Sequence, residues 1–214
     1  LPLPEKGMKI AFIGEFASNP RFQGGGSANV KPYKVVSALD AVKSIAEVSY
    51  AQGFELTEDK RNDVLFQSAL KTAAEADIAV IFAGLPEQFE SEGFDREHMR
   101  MPECQDELIS EITKIQENVV VVMHNGSPVE MPWADNVKGI LEAYLGGEAV
   151  GQAVVKLLFG IENPCGKLAE TIPYQLSDNP SYLYFPGNGK KVEYREGVFV
   201  GYRYYDTKNM SVRF

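Results

Sequence analysis

The sequence predicts an α/β fold: a mostly parallel sheet with helices on both faces (an α/β sandwich), followed by an irregular C-terminal extension. Short apolar runs alternate with segments of helical spacing, and the links between them are short. The apolar run at residues 118–123 lacks in/out alternation, as expected for a strand covered by helices on both faces. Strands that alternate with helices along the chain form parallel β-α units in one sheet. We therefore predict a single domain over residues 1–214, in which residues 1–8 are the end of a linker.

The predicted elements follow one another along the chain as strand and helix. Five strands are predicted, at residues 9–14, 48–51, 78–83, 118–123 and 139–143. Four helices are predicted between or after them, at residues 35–45, 64–76, 105–115 and 148–158. Beyond Asn163 and Pro164 the regular spacing fades, and the tail at 163–214 is rich in Pro, Tyr and Asn.

Composition argues against several classes of function. Of the 214 residues, 44% are hydrophobic, which is enough for a substantial core. The net charge of -9 disfavours a nucleic-acid surface, and no apolar run of about 18 residues is present to cross a membrane. Cys104 and Cys165 lie far apart, which predicts neither a disulfide framework nor a metal site and favours a reducing, cytoplasmic location. The sequence leaves open whether a signal peptide precedes Leu1, because the first residues look like the end of a linker.

Three loops are predicted at one edge of the sheet, where ligands of such folds bind. They begin after Gly14, Gly84 and Met123, which end three of the predicted strands. The second of these loops contains residues 90–96, with several carboxylates, an arginine and an aromatic ring. This mixture suits proton transfer to a sugar bound beside a hydrophobic wall.

Glu92 is the candidate proton donor in that loop. In glycoside hydrolysis one carboxyl group protonates the leaving oxygen, and an apolar neighbour such as Phe94 keeps a carboxyl protonated near neutral pH. Glu90 competes for this role because it lies on the same loop. The simpler interpretation is a solvated loop with a local Asp95–Arg96 ion pair, and composition alone favours it.

The glycine-rich segment at residues 23–27 is a second candidate. Its three glycines let a ligand approach the backbone, and Ser27 is placed to hydrogen-bond a sugar hydroxyl. A flexible turn is an equally good interpretation. The glycines lie too far after the first strand for a dinucleotide fingerprint. His124 is interpreted as a hydrogen-bonded structural histidine in preference to a catalytic base.

The tail contains four tyrosines and two arginines within residues 194–205. A surface that is half apolar and half polar is typical of an inter-domain contact. A platform for carbohydrate is the alternative.

Several motifs, taken in order, resemble the C-terminal α/β sandwich domain of family 3 glycoside hydrolases, the β-glucosidases. The resemblance covers essentially the whole chain, and its motifs lie at residues 23–27, 92–96, 125–129, 143–148, 163–168 and 196–205. The last of these is the most specific. In the motif at 163–168, Cys165 replaces the serine that is usual in the family.

The resemblance implies roles for three residues. Glu92 aligns with the general acid/base glutamate, and Ser27 aligns with a serine that touches the sugar in the glycone subsite. Phe94 replaces a tyrosine that lines the aglycone subsite, so any contact through that hydroxyl is lost. In the family the nucleophile is an aspartate on a preceding barrel domain, towards which the tail at 163–214 is expected to pack.

We therefore expect a domain of a retaining β-glucosidase that hydrolyses terminal β-D-glucosyl residues of a β-glucoside or oligosaccharide. Its partner is the barrel of the same polypeptide, and no cofactor, metal, nucleic acid or membrane is expected. The isolated chain is expected to be inactive because it carries one carboxyl of the catalytic pair. The alternative is a non-catalytic carbohydrate-binding or scaffold domain, and a nucleotide-binding α/β protein is a weaker one.

Overall fold

A five-stranded parallel sheet organises the structure, a computed structural model that describes residues 1–214. Its strands are β1 (Ile10–Ile13), β2 (Val48–Ala51), β3 (Ile78–Gly84), β4 (Val119–His124) and β5 (Gly139–Glu142). Their spatial order is β2-β1-β3-β4-β5, and every neighbouring pair is parallel. The prediction of an α/β fold with a parallel sheet is confirmed.

Four helices cover the two faces of this sheet: α1 (Ala38–Val42), α2 (Asp63–Ala74), α3 (Glu103–Ile115) and α4 (Val150–Leu158). A fifth helix, α5 (Tyr202–Lys208), lies in the C-terminal tail. The chain moves one way along the sheet from β1 to β2 and the other way from β2 to β3 and β4. Right-handed crossovers therefore place α1 on one face and α2 and α3 on the other. Consistent with this, α1 packs against α4 and α2 packs against α3.

Local sequence explains where the longer helices begin. The side-chain oxygen of Asn62 accepts hydrogen bonds from the backbone N–H groups of Val64 and Leu65 and so caps α2. Helix α3 follows Pro102, with Glu103 and Asp106 in its first turn and Lys114 in its last. These charges complement the helix dipole at both ends.

Two helices differ in detail from the predictions. The helix predicted at 35–45 is limited to Ala38–Val42, because Ser37 caps its start and the N–H of Ile45 bonds back to Val42, which tightens the chain into a turn. The tail at 163–214, predicted to be irregular, contains α5. This helix lies between Gly201 and Asn209, both of which have positive φ angles.

The residues form two compact units. The first comprises residues 1–94, 101–127 and 132–164, and holds the sheet and helices α1 to α4. Within it Leu3 is buried and its N–H donates to the carbonyl oxygen of Leu158, 2.7 Å away. The second comprises residues 95–100, 128–131 and 165–214, where the backbones of Ile172 and Arg213 are hydrogen-bonded at 2.8 Å.

The core of the first unit lies along the two central strands. All residues of β4 are buried, as are all residues of β3 except Ile78. Such strands need apolar side chains on both faces, which explains their unbroken apolar sequences. None of the helices is both long and apolar enough to span a membrane.

Candidate functional site

The strand order reverses between β1 and β3, and the loops that follow these two strands meet at that point. The chain leaves β1 towards β2 and leaves β3 towards β4, so a crevice opens between the carboxyl ends of β1 and β3. Ligands of open α/β sheets bind in this position. The glycine loop (residues 15–32) follows β1, and the acidic loop (residues 85–94) follows β3.

Ser27 and Glu92 are brought together across this crevice. Oε2 of Glu92 accepts a hydrogen bond from the backbone N–H of Ser27 at 2.5 Å and another from the Ser27 hydroxyl. The two residues are 65 positions apart in the chain, and both are exposed. Two of the three predicted site residues therefore contact each other directly.

Gly26 makes this contact sterically feasible. Its φ angle of +77° lies in the left-handed region, and a Cβ built on it would lie 2.5 Å from Cβ of Glu92. A Cβ on Gly25 would clash with the side chains of Ser91 and Glu87. The glycines allow two loops to pack tightly, which differs from the flexible turn considered for them.

The Ser27 hydroxyl, followed by the Ser27 backbone N–H, holds the pKa of Glu92 below its ordinary value of 4.5. For this chain, the expectation that an apolar neighbour keeps Glu92 protonated is therefore wrong. Phe94, two residues further on, is 50% exposed and so available to a ligand.

Beside this contact, a buried ion pair joins the same two loops. Nη1 of Arg21 lies 2.6 Å from Oε2 of Glu90, and the two side chains are only 7% and 15% exposed. Arg21 also donates from Nη1 to the carbonyl oxygen of Leu85 at 3.0 Å, and from Nη2 to the carbonyl oxygen of Glu90 at 2.8 Å. One arginine thus holds both ends of the acidic-loop segment from Leu85 to Glu90.

Glu90 is also bound by the loop that follows β4. The backbone N–H of Gly126 donates to Oε2 of Glu90 at 2.7 Å, and the hydroxyl of Ser127 donates to Oε1. Burial raises the pKa of Glu90, but the hydrogen bonds from Ser127, Gly126 and Arg21 outweigh it and leave the pKa below the ordinary 4.5. Glu90 is an anchor at the point where three loops meet, and its hydrogen bonds favour the ionised form.

His124, at the end of β4, is buried beside this anchor. Its ring stacks on Phe16 with 5.5 Å between ring centres, and neither ring nitrogen has a protein hydrogen-bond partner of good geometry. Burial lowers the pKa of His124 to about 4, although a contact with the backbone of Arg21 opposes the shift. The structural role predicted for His124 agrees with this burial, whereas the predicted hydrogen bonding was wrong.

Sequence reasoning missed Arg21, Gly126 and Ser127 as parts of this site. The available signal was local: an arginine within a loop of Gly, Asn and Pro, and small residues directly after a buried strand. No group of three His, Cys, Asp or Glu side chains is arranged to hold a metal ion.

Comparison with known proteins places this chain in a glycoside hydrolase family. The family model described as "Glycosyl hydrolase family 3 C-terminal domain" matches residues 1–202. Thermostable beta-glucosidase B of Acetivibrio thermocellus is 51% identical over 218 residues, which cover 100% of this chain and 29% of that protein. The exo-alpha-(1->6)-L-arabinopyranosidase of Bifidobacterium longum is 47% identical over 206 residues, which cover 95% of this chain and 27% of that protein.

Solved structures show the same fold. The crystal structure of the GH3 beta-glucosidase of Bifidobacterium adolescentis matches 99% of this chain and 31% of that chain, with 46% identity and a TM-score of 0.93. A beta-glucosidase of Kluyveromyces marxianus, at 23% identity and a TM-score of 0.92, matches in fold over 100% of this chain and 43% of that one. The chain spans less than half the length of each of these proteins.

Proposed function

The chain belongs to the family of glycosyl hydrolase family 3 C-terminal domains, and we propose that it acts within a retaining β-glucosidase. In this proposal the chain supplies the acid/base Glu92 and, through Ser27 and Phe94, part of the sugar subsite. The observation that carries the proposal is the Ser27–Glu92 contact at the sheet's switch point. It places a carboxylate and a hydroxyl side by side where such sheets bind ligands.

The proposed reaction needs a second carboxylate, contributed by a barrel domain outside this chain. That carboxylate attacks the anomeric carbon while the protonated Glu92 gives its proton to the glycosidic oxygen, so the C–O bond breaks and a glycosyl-enzyme forms. Glu92 then takes a proton from water, whose oxygen attacks the anomeric carbon and releases the sugar with retained configuration.

Ser27 couples sugar binding to the protonation of Glu92 in this proposal. In the free chain the two donors of Ser27 favour the ionised carboxylate, which is the wrong form for the first step. When a sugar hydroxyl takes the Ser27 hydroxyl as its partner, Glu92 loses one of these donors. The sugar and the barrel also exclude water from Glu92, and both changes raise its pKa.

The contacts of Glu90 favour Glu92 for the acid role. Both carboxylate oxygens of Glu90 already accept hydrogen bonds, from Arg21, Gly126 and Ser127. A carboxylate held by an arginine and two further donors favours its ionised form, and its oxygens already have partners within the chain. Glu92 is exposed and therefore accessible to a ligand.

Two relatives that resemble this chain about equally are named for different sugars, glucose and L-arabinopyranose. We infer that the chain supplies machinery common to both and that the barrel selects the sugar. A non-catalytic role in carbohydrate binding or as a scaffold is the second candidate, and the low pKa of Glu92 in the free chain favours it. Titration of the chain with glucose and cello-oligosaccharides distinguishes that candidate, because a binding module holds them unaided.

The first test is the turnover of an aryl β-glucoside. We expect none from the purified 214-residue chain, since one carboxyl of the pair is absent. In the complete polypeptide, Glu92→Ala should lower kcat/KM by about 10²–10⁴-fold, as for loss of a general acid/base. Glu117→Ala, at an exposed glutamate on the opposite edge of the sheet, should leave it unchanged. Turnover by the isolated chain that disappears in Glu92→Ala would refute the proposal that the two catalytic carboxyl groups are divided between this chain and a barrel domain.

A further inference from the structure

The glycine loop and the acidic loop touch at successive positions. Arg21 contacts Glu90, Gly25 lies against Ser91, and Ser27 contacts Glu92. The outermost of these contacts lies at the surface, whereas the Arg21–Glu90 pair is buried. Only Ser91 separates this pair from Glu92, so a displacement of the pair also shifts Glu92.

Arg21 is suited to fix this segment rigidly. Its guanidinium reaches the side chain of Glu90 and two backbone carbonyl oxygens, those of Leu85 and Glu90. The planar fork of an arginine sets the directions of these bonds, which a lysine ammonium cannot reproduce. The contacts to backbone atoms hold the path of the acidic loop in addition to one side chain.

Gly126 and Ser127 hold Glu90, the acidic partner of Arg21. Their hydrogen bonds to the two oxygens of Glu90 fix the plane of this carboxylate against the end of β4. A Cβ on Gly126 would lie 2.9 Å from Oε2 of Glu90, so the backbone approaches as closely as the glycine permits. The acidic loop is thereby tied to the rigid edge of the sheet two residues before Glu92.

We propose that the Arg21–Glu90 ion pair is a positioning device that holds the Glu92 carboxylate against Ser27. Neither residue is placed to touch a substrate, so each acts through the geometry of Glu92. The consequence for catalysis rests on the proposed function, whereas the positioning itself is a property of this chain.

Glu90→Gln tests the proposal by the direction in which it shifts the pKa of Glu92. The neutral amide has no charge to pair with Arg21 and keeps only one acceptor oxygen, so the loop is held less firmly and shifts. Loss of the Ser27 contact then raises the pKa of Glu92 towards 4.5. Charge alone predicts the opposite, since removing a nearby negative charge lowers the pKa of a carboxyl. Carboxyl carbon chemical shifts, followed by NMR titration of the 214-residue chain, measure this pKa directly.

Arg21→Lys provides a second test and decides the matter if Glu90→Gln does not fold. It keeps the positive charge but not the fork to Leu85 and Glu90, so we expect the pKa of Glu92 to rise here as well. The matched control is Glu107→Gln, which breaks the ion pair of Arg61 and Glu107 on α3 and should leave the pKa of Glu92 unchanged.

An unchanged or lower pKa of Glu92 in folded Glu90→Gln, or a wild-type pKa in folded Arg21→Lys, would overturn the positioning role. Because the measurement needs no turnover, its outcome is independent of whether the chain takes part in glycoside hydrolysis. If positioning holds, the same variants in the complete polypeptide should lower kcat more than they change KM. A positioning effect on the pKa without any loss of kcat would count against the proposed function alone.

Discussion

His124 places an ionisable ring inside the core of the first unit. Phe16 and Phe82 lie against it, with ring centres 5.5 and 6.4 Å from the imidazole. Burial lowers the pKa of His124 from 6.5 to about 4, so the folded chain holds the ring neutral. In the unfolded chain the same ring gains a proton near pH 6.5, and this difference makes stability depend on pH.

The stability contributed by neutral His124 is complete above pH 6.5 and is lost as the pH falls towards 4. The loss over that interval is about 3 kcal/mol, from about 1.36 kcal/mol per unit of pKa shift. We expect His124→Phe to flatten this dependence between pH 6.5 and 4.5, as measured by urea unfolding at a series of pH values.

Met123→Leu, at the neighbouring buried position of β4, is the control and should keep the wild-type slope. Glu90 and Glu92 have lowered pKa values, so their contribution to folding stability is lost only below pH 4.5. This lies outside the pH range in which His124 is measured. A slope in His124→Phe equal to that of the wild type would show that another group is responsible.

At the scale of elements, the glycine loop and the acidic loop fit together because Gly26 has no side chain. The prediction from sequence that Ser27 and Glu92 belong to one site rested on a family resemblance. Their hydrogen bond could not be predicted, since nothing local in the chain shows that residues 65 positions apart will meet. The same holds for Arg21 and Glu90, which are separated by 69 positions.

Gly26→Ala should separate the two loops. Its Cβ would collide with Glu92, and the left-handed backbone adds about 1 kcal/mol of strain for a residue other than glycine. We expect a lower Tm and a rise in the pKa of Glu92 as the Ser27 contact is lost. Gly24→Ala is the control in the same loop, since its Cβ meets no atom closer than 3.7 Å. Equal behaviour of the two variants would contradict the close-packing account.

The strands were predictable because their signal is local. Short, mostly apolar segments predicted all five, and β2 was predicted at its observed bounds. The error at α1 has a physical cause, since a hydrogen bond from Val36 to Glu148 holds the preceding residues extended, and this contact spans much of the chain. Helix α5 was missed because Gly201 and Asn209 frame a segment of only seven residues.

At the scale of the whole molecule, the second unit exposes large apolar side chains. Leu183, Tyr194, Val198 and Tyr202 are each between 64% and 82% exposed. Large exposed apolar side chains of this kind suit a surface that packs against another protein domain. The tail at 163–214 therefore stays a predicted packing surface for the barrel, and the length of the relatives leaves room for such a domain.

We propose that this chain contributes Glu92 as the acid/base of a site completed by a barrel. Rescue of Glu92→Ala by azide in the complete polypeptide tests it most directly, with a dinitrophenyl β-glucoside as substrate. A good leaving group needs no proton, so the glycosyl-enzyme still forms, and azide then replaces the water that Glu92 would activate. We predict a faster reaction and a β-glucosyl azide product. No acceleration and no azide product would contradict the claim.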